Sequence, residues 1–258
     1  MNSQYLLKSA GIIAFFILTI GQAIAATVDE NLQRARTLIQ GLEKKYLSNE
    51  VPIVIQKLEK NVLPNSILQA FALEQHLIIQ SDLRNNALTL HRFGGSPSEN
   101  VRQFFTRLVA NEVKASEQLP ALAQAFNISP RQVEQYQPLA GAQAYAAYTT
   151  WLANYALPAE IAAALLINFQ SFGLNVGRMA KELKKNTGMS DSQLAFLVNF
   201  SKLPPGFREQ AVNIVARGLA SGVGESNIET CVRLIQSYEK EFWRALENAN
   251  SVNRDLRN

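Results

Sequence analysis

The sequence SYEKEFW, residues 237–243, places a carboxylate among residues that a helix would bury. At about 100° per residue, the flanking apolar side chains fall on one stripe of such a helix: Ile228, Val232, Ile235, Phe242 and Leu246. Glu239 lies within that stripe, whereas Lys240 and Glu241 turn toward solvent. A carboxylate that faces a core is costly unless it is paired or functional. Glu239 is therefore either a structural carboxylate bonded to a buried Tyr or Asn, or part of a ligand pocket.

Helical patterns continue through the rest of the chain. The segment 160–186 is apolar almost all round in its first half, which is typical of a helix buried on several sides. The other predicted helices cover about 29–46, 52–62, 66–91, a segment from Ser98, 127–136, 142–156, a segment from Ser190, 204–220 and 225–249. VPIVI (51–55) is the one β-branched cluster, and it is too short for a convincing strand. These patterns predict an all-α domain, a single bundle of about eight to ten helices.

The N-terminal residues have the features of a secretory signal. Ten apolar residues, 11–20, follow the positive charge of Lys8, and Ala23 and Ala25 stand in the spacing of a cleavage site. The apolar run is shorter than the span of about 20 residues that a membrane helix needs. We expect residues 1–25 to be removed on export to the periplasm or the medium, which leaves one domain over residues 26–258. The alternative is an uncleaved membrane anchor formed by residues 9–28.

Composition excludes several classes of function. The net charge is +4 and no Lys/Arg stripe is interleaved with aromatic residues, so no nucleic-acid partner is expected. Cys231 is the only cysteine, which excludes a disulfide framework and a cysteine-based metal site. A di-metal site needs histidines and carboxylates in helical spacing on facing helices, and the chain has only His76 and His91. We therefore expect neither a metal nor another cofactor.

Four segments occur in an order that resembles a known family. They are LPNSILQAFALEQHLIIQSDL (63–83), AQAYAAYTTWLA (142–153), AAALLINFQSFGLNVGRMAKEL (162–183) and YEKEFW (238–243). Together they resemble the TenA family, also called thiaminase-II, whose fold is shared with PqqC and haem oxygenase. The resemblance covers about residues 50–247 and implies a single haem-oxygenase-like bundle that forms homo-oligomers. TenA-like enzymes hydrolyse thiamin or release the amino group of an aminopyrimidine from thiamin breakdown, so the resemblance also implies an activity of this kind.

The resemblance assigns roles to particular positions, and two of them match. Tyr145 stands at the tyrosine of the family's Ala-Tyr helix, and Glu239 stands at the glutamate before the terminal Phe-Trp. Two other positions differ. His76, which follows Gln75, replaces the expected aspartate, and Asn168 replaces the cysteine nucleophile.

The replacement of the cysteine changes the expected chemistry. An amide donates and accepts hydrogen bonds but cannot attack a ring carbon, so we expect the standard hydrolysis to be lost. Phe172 replaces a tyrosine one turn after Asn168, and Phe196 or Phe200 could supply a further aromatic ring. We expect a small heteroaromatic, thiamin-related ligand in the bundle core. The candidate site residues are Glu239 as the acid, with Gln75, His76, Tyr145, Asn168, Phe172 and Phe196 around the ligand.

Two other functions remain open from the sequence. The first is a non-catalytic helical interaction or regulatory module that has kept the fold and lost the pocket. Large side chains that fill the centre of the bundle would favour it. The second is a hydrolase with altered chemistry, in which His76 acts as the base and Glu239 as the acid. The residues alone do not decide whether the chain is an enzyme.

Overall fold

The computed structural model describes residues 29–47 and 50–255, with side chains described as far as residue 249. This part of the chain contains ten helices and no strand, which confirms the predicted all-α fold. The helices are α1 (residues 29–46), α2 (Ile53–Glu59), α3 (Asn65–Phe93), α4 (Glu99–Ala125), α5 (Pro130–Gln135), α6 (Ala140–Tyr155), α7 (Pro158–Thr187), α8 (Asp191–Phe200), α9 (Phe207–Ala220) and α10 (Glu225–Asp255). The predicted signal peptide and the alternative anchor lie outside the described residues.

The helix ends follow the local signals in the sequence. Ser129 and Ser190 each close a capping box with a glutamine three residues later, at the starts of α5 and α8. Pro158 occupies the first turn of α7, where its missing N–H costs nothing. Gly188 ends α7 with φ of 69°, a conformation that glycine adopts without a steric penalty.

Helix α7 forms the centre of the bundle. It packs against α10, α9 and α8, while α10 also packs along α6 and α3 packs along α4 and α6. Every residue from Ala159 to Asn168 is buried. By length and composition α7 could span a membrane, but most of its apolar window is buried by other helices, as in the core helix of a globular domain.

A close contact fixes α8 against the second half of α7. A Cβ atom added at Gly173 would lie 2.7 Å from the carbonyl oxygen of Phe200, so glycine allows the two helices to approach. The contact brings the ring of Phe200 against the ring of Phe172, with centroids 5.9 Å apart in a T-shaped arrangement. This pair forms one wall of the site described below.

Candidate functional site

Glu239 faces the interior of the bundle, as its position in the apolar stripe predicts. Its side chain is 4% exposed, whereas its neighbours Lys240 and Glu241 are exposed. The carboxylate accepts hydrogen bonds from Asn168 Nδ2 at 2.8 Å, from Ser171 Oγ at 3.1 Å and from Trp243 Nε1 at 3.2 Å. Two of these donors belong to α7, so Glu239 bonds α10 to the central helix.

The hydrogen bonds of Glu239 extend to a third helix through Asn168. The hydroxyl of Tyr145, on α6, donates to Asn168 Oδ1 at 3.0 Å. Tyr145 and Asn168 are both buried. Three of the residues predicted from the sequence therefore meet in one buried chain that runs from Tyr145 through Asn168 to Glu239.

Burial controls the protonation of this chain. It raises the pKa of Glu239 to about 7, and the hydrogen bonds from Trp243, Ser171 and other neighbours offset only part of that effect. Near neutral pH the side chain can therefore either donate or accept a proton. The pKa of Tyr145 is raised well above its ordinary value by burial and by the charges of Asp82, Glu112 and Glu239, so its hydroxyl stays protonated.

The chain lines a small space in the core, which we call the inner cavity. Its volume is about 40 Å³. The polar lining residues are Gln75, Asp82, Glu112, Tyr145, Asn168 and Glu239, and the apolar ones are Ile78, Ile79, Phe169, Phe172, Phe200 and Phe242. This lining, within the described part of the chain, contains no Lys, Arg or His. A cavity of this size has room for one or two water molecules and is smaller than a cavity of about 150 Å³ that holds benzene.

Glu239 also lines a larger surface depression, which we call the outer groove. Its volume is about 460 Å³, within the range of about 300–1,000 Å³ that is usual for ligand pockets. Ser171 and Trp243, which hydrogen-bond to Glu239, lie in its wall. Arg178 and Lys240 are among its charged residues. Glu239 therefore borders both the core and a surface space of ligand size.

Two acids of the inner cavity did not appear among the residues predicted from the sequence. Asp82 lies seven residues after Gln75 on α3 and accepts a hydrogen bond from Thr149 Oγ1 at 2.7 Å. Glu112 lies on α4, is 4% exposed, and receives no hydrogen bond from any described residue. Burial raises the pKa of both carboxyls, and the charge of Asp82 raises that of Glu112 further.

A sequence signal for Glu112 exists. It lies four residues after Leu108 and three before Ala115, within the buried stripe of α4. This is the same pattern that identifies Glu239, so the periodicity of α4 predicts a buried acid at Glu112.

Two predicted site residues do not line the inner cavity. His76 is partly exposed at the surface and shares a hydrogen bond with Gln80, with the two Nε2 atoms 2.9 Å apart. Phe196 is fully buried behind Phe200, with ring centroids 5.2 Å apart, and Phe200 lines the cavity in its place. The remaining predicted residues, Gln75 and Phe172, are in the lining.

The described residues contain no group of three or more His, Cys, Asp or Glu side chains that could hold a metal ion. Cys231 is buried and does not line the inner cavity. Burial raises the pKa of its thiol to about 11, so a thiolate is scarce at neutral pH. Cys231 therefore has neither the position nor the ionisation of a replacement nucleophile.

The sequence segments that carry the resemblance lie in the helices that build the site. A model of the TENA/THI-4/PQQC family matches residues 53–249, which includes α2 to α9 and most of α10. This chain belongs to the TENA/THI-4/PQQC family. A search of the curated proteins found no match.

Solved structures show the same fold as this TENA/THI-4/PQQC chain. A TenA homologue from Pseudomonas syringae pv. tomato is 12% identical with a TM-score of 0.62, and the match covers 84% of this chain and 92% of that one. A domain of unknown function with a haem oxygenase-like fold, from Shewanella denitrificans, is 12% identical with a TM-score of 0.63, over 88% and 94% of the two chains. A TenA homologue from Pyrococcus furiosus is 16% identical with a TM-score of 0.56, over 85% and 99%. At such identities the likeness establishes the fold alone.

Proposed function

We propose that this TENA/THI-4/PQQC protein binds a small, thiamin-related heteroaromatic compound in the core of its bundle. The observation that carries the proposal is the buried chain from Tyr145 through Asn168 to Glu239 on the wall of the inner cavity. Such a chain combines a hydroxyl, an amide and a carboxyl group beside the four phenylalanine rings of the lining. Convergent polar groups in an apolar pocket are the usual features of a small-molecule site.

The ionisation of Glu239 suits an amino-substituted ring. A carboxyl group with a pKa of about 7 can donate its proton to a ring nitrogen and accept a hydrogen bond from the adjacent amino group. An aminopyrimidine offers this pair of groups on neighbouring atoms. The phenylalanine rings of the lining would contact its faces.

A bound ring requires the inner cavity to enlarge. Phe172 and Phe200 form a partly exposed pair of contacting rings in its wall, and we propose that they move apart when the ligand enters. The outer groove beside Glu239 would then provide a second contact surface for the part of the ligand outside the core.

We propose that the cysteine-dependent hydrolysis of the family is absent from this chain. Asn168 occupies the position that the resemblance assigns to the nucleophile, and its amide group is engaged on both sides by Tyr145 and Glu239. The other carboxyl and hydroxyl groups of the lining could hold a ligand, but a carbon–nitrogen bond of thiamin is not expected to break without a strong nucleophile.

Calorimetry with thiamin and with its aminopyrimidine breakdown product tests the proposal. The wild type should bind at least one of them, and Glu239→Gln should weaken that binding about tenfold or more, because glutamine cannot transfer a proton to the ring nitrogen and form an ion pair with it. Glu241→Gln provides a matched control, since it makes the same change on the exposed face of α10. Flat traces for both compounds with a folded wild type would contradict the proposal.

A second candidate is a helical interaction module without a ligand. Two observations favour it: the inner cavity is small, and Glu239 is bonded to α7 by Asn168 and Ser171. These bonds alone would account for a buried carboxylate. Under this alternative the calorimetric traces are flat, and Glu239→Gln changes only stability.

We also propose that the chain is exported after cleavage behind Ala25 and forms a homo-oligomer. The first proposal rests on the apolar run and the alanine spacing of the N-terminal residues. The second rests on the family resemblance.

A further inference from the structure

The inner cavity contains a pair of acids whose role the proposed function leaves unassigned. Asp82 from α3 and Glu112 from α4 line both the inner cavity and an adjoining space of about 20 Å³. The carboxylate of Asp82 is held by Thr149. Glu112 is 4% exposed, and its carboxyl group is influenced by burial and by the charge of Asp82 but by no hydrogen bond from a described residue.

An unpartnered buried carboxyl is unusual in a folded protein. Leaving such a group without a hydrogen bond costs about 1–3 kcal/mol, so natural proteins rarely keep one without a use. Glu112 also lies close enough to Asp82 for the charge of Asp82 to oppose its ionisation. The charge of Asp82 therefore favours the protonated form of Glu112, and the negative charge of the pair lies mainly on Asp82.

No basic group among the described residues of the lining neutralises that charge. The titratable groups that face the pair are Tyr145 from α6 and Glu239 from α10, and the other polar lining residues, Gln75 and Asn168, are uncharged. Every titratable group around the cavity is therefore an acid or a phenol. Such a lining attracts a cation and repels an anion.

We propose that Asp82 and Glu112 form a subsite for the cationic or amino-bearing end of the ligand, which is an aromatic ring with an amidinium or protonated amino group. The inference rests on the proposed function, because it names the chemical class of the ligand for the same cavity. Glu112 accepts a hydrogen bond from the ligand that no protein group supplies. The ligand cation replaces the proton that Glu112 carries, and that proton passes to the solvent.

The exchange of a cation for a proton predicts the pH dependence of binding. Affinity for a permanently charged ligand should rise as pH increases, by up to tenfold per unit while the pair still holds its proton. A neutral ligand of the same shape releases no proton, so its affinity should not rise in this way. The comparison of the two separates the charge of the ligand from its shape.

The test uses benzamidinium as the cationic probe and benzamide as its neutral isostere, with the full chain. Calorimetry at pH 7 should show that the wild type binds benzamidinium. The affinity of Glu112→Gln for benzamidinium should be at least tenfold lower, and that of Glu117→Gln should equal that of the wild type. Glu117 lies on the exposed face of the same helix, so its variant is the matched control. Asp82→Asn gives a second variant of the pair, and thermal unfolding establishes that each protein is folded.

The outcomes separate this inference from the proposed function. Equal affinity of benzamidinium for the wild type, Glu112→Gln and Asp82→Asn would overturn the subsite and leave the proposed function standing. Binding of benzamide without binding of benzamidinium would have the same meaning. Failure of the wild type to bind any of these rings would overturn both.

Discussion

The amide of Asn168 suits a position between a phenol and a carboxyl group of variable charge. When Glu239 is ionised, the hydrogen bonds run from Tyr145 to Asn168 and from Asn168 to Glu239. When Glu239 is protonated, rotation of the amide by 180° reverses both bonds, so that Glu239 donates to Asn168 and Asn168 donates to Tyr145. The hydroxyl of Tyr145 is then free to donate elsewhere. A single residue therefore accommodates both protonation states.

Glu239→Gln should change how stability depends on pH. The folded pKa of Glu239 is raised from 4.5 to about 7, so its protonated form stabilises the folded state. That contribution is complete below about pH 4.5 and is lost as pH rises to about 7, which amounts to about 3 kcal/mol. The variant should lack this component, because glutamine does not titrate and can use the reversed hydrogen bonds.

Urea unfolding between pH 4 and pH 8 measures this effect. The difference in unfolding free energy between Glu239→Gln and the wild type should increase in favour of the variant as pH rises. Glu241→Gln, at an exposed position of α10, should follow the wild type. Parallel profiles for all three proteins would show that Glu239 ionises in the folded state as it does in water.

Asn168→Ala should be markedly destabilising. It removes two buried hydrogen bonds and leaves the Tyr145 hydroxyl and one oxygen of Glu239 without their partner. Unpartnered buried groups and the small cavity together cost about 2–4 kcal/mol. Thermal and urea unfolding measure the loss, and Asn154→Ala, at an exposed position of α6, is the control. A loss equal to that of the control would mean that the buried chain contributes no stability.

At the level of the helices, sequence patterns predicted which helices form. They did not predict which side chains face the cavity where this depends on how two helices cross. The predicted helix 160–186 corresponds to α7 (Pro158–Thr187), because proline at its start and glycine after its end are local signals. The cavity face of α3 is set by Gln75, Ile78, Ile79 and Asp82, which recur at helical spacing. His76 follows Gln75 by one residue and is rotated by about 100°, so it points elsewhere.

The choice between Phe196 and Phe200 shows the limit of sequence reasoning. The two rings lie one turn apart on the same face of α8, so the periodicity of the helix cannot separate them. Gly173 determines that Phe200 lines the cavity, because the missing side chain of Gly173 lets the C-terminal end of α8 lie against α7. That contact joins residues distant in sequence and has no local signal.

Gly173→Ala should therefore be destabilising although alanine favours helices. Its Cβ atom would meet the carbonyl oxygen of Phe200 at 2.7 Å, so α8 has to shift, at a cost of about 1–3 kcal/mol. Gly41→Ala is the matched control, because Gly41 is helical and exposed with open space around its Cβ position. It should stabilise the protein by up to about 1 kcal/mol. Thermal unfolding measures the stability of both variants, and an equal gain in stability from the two substitutions would contradict the close contact between α7 and α8.

For the complete chain, the sequence predicted the fold and part of the site, but not the volume that the site encloses. The resemblance identified Tyr145, Asn168 and Glu239, which the folded chain joins by hydrogen bonds. The volume of the inner cavity depends on side chains from α3, α4, α6, α7, α8 and α10 together. No single segment contains that information. Neither the size of the inner cavity nor the presence of Asp82 and Glu112 in the same lining could therefore be predicted from one helix.

The proposals of export and self-association make one prediction each for the complete chain. The protein recovered from outside the cytoplasm should begin at Ala26, because cleavage follows Ala25. N-terminal sequencing measures this, and an intact N-terminus in a membrane fraction would favour the anchor instead.

Light scattering coupled to gel filtration should give a mass that is a multiple of the chain mass. A monomer at micromolar concentration would contradict self-association.

The protonation of Glu239, observed with and without a ligand, is the most direct test of the account. Carboxyl-carbon NMR of protein labelled at glutamate follows this group, and Glu239→Gln assigns its resonance. Glu239 should titrate near pH 7 in the free protein, and its resonance should shift when the thiamin-derived aminopyrimidine is added. A carboxyl group that titrates near pH 4.5 and does not respond to the aminopyrimidine or to thiamin would contradict the central claim.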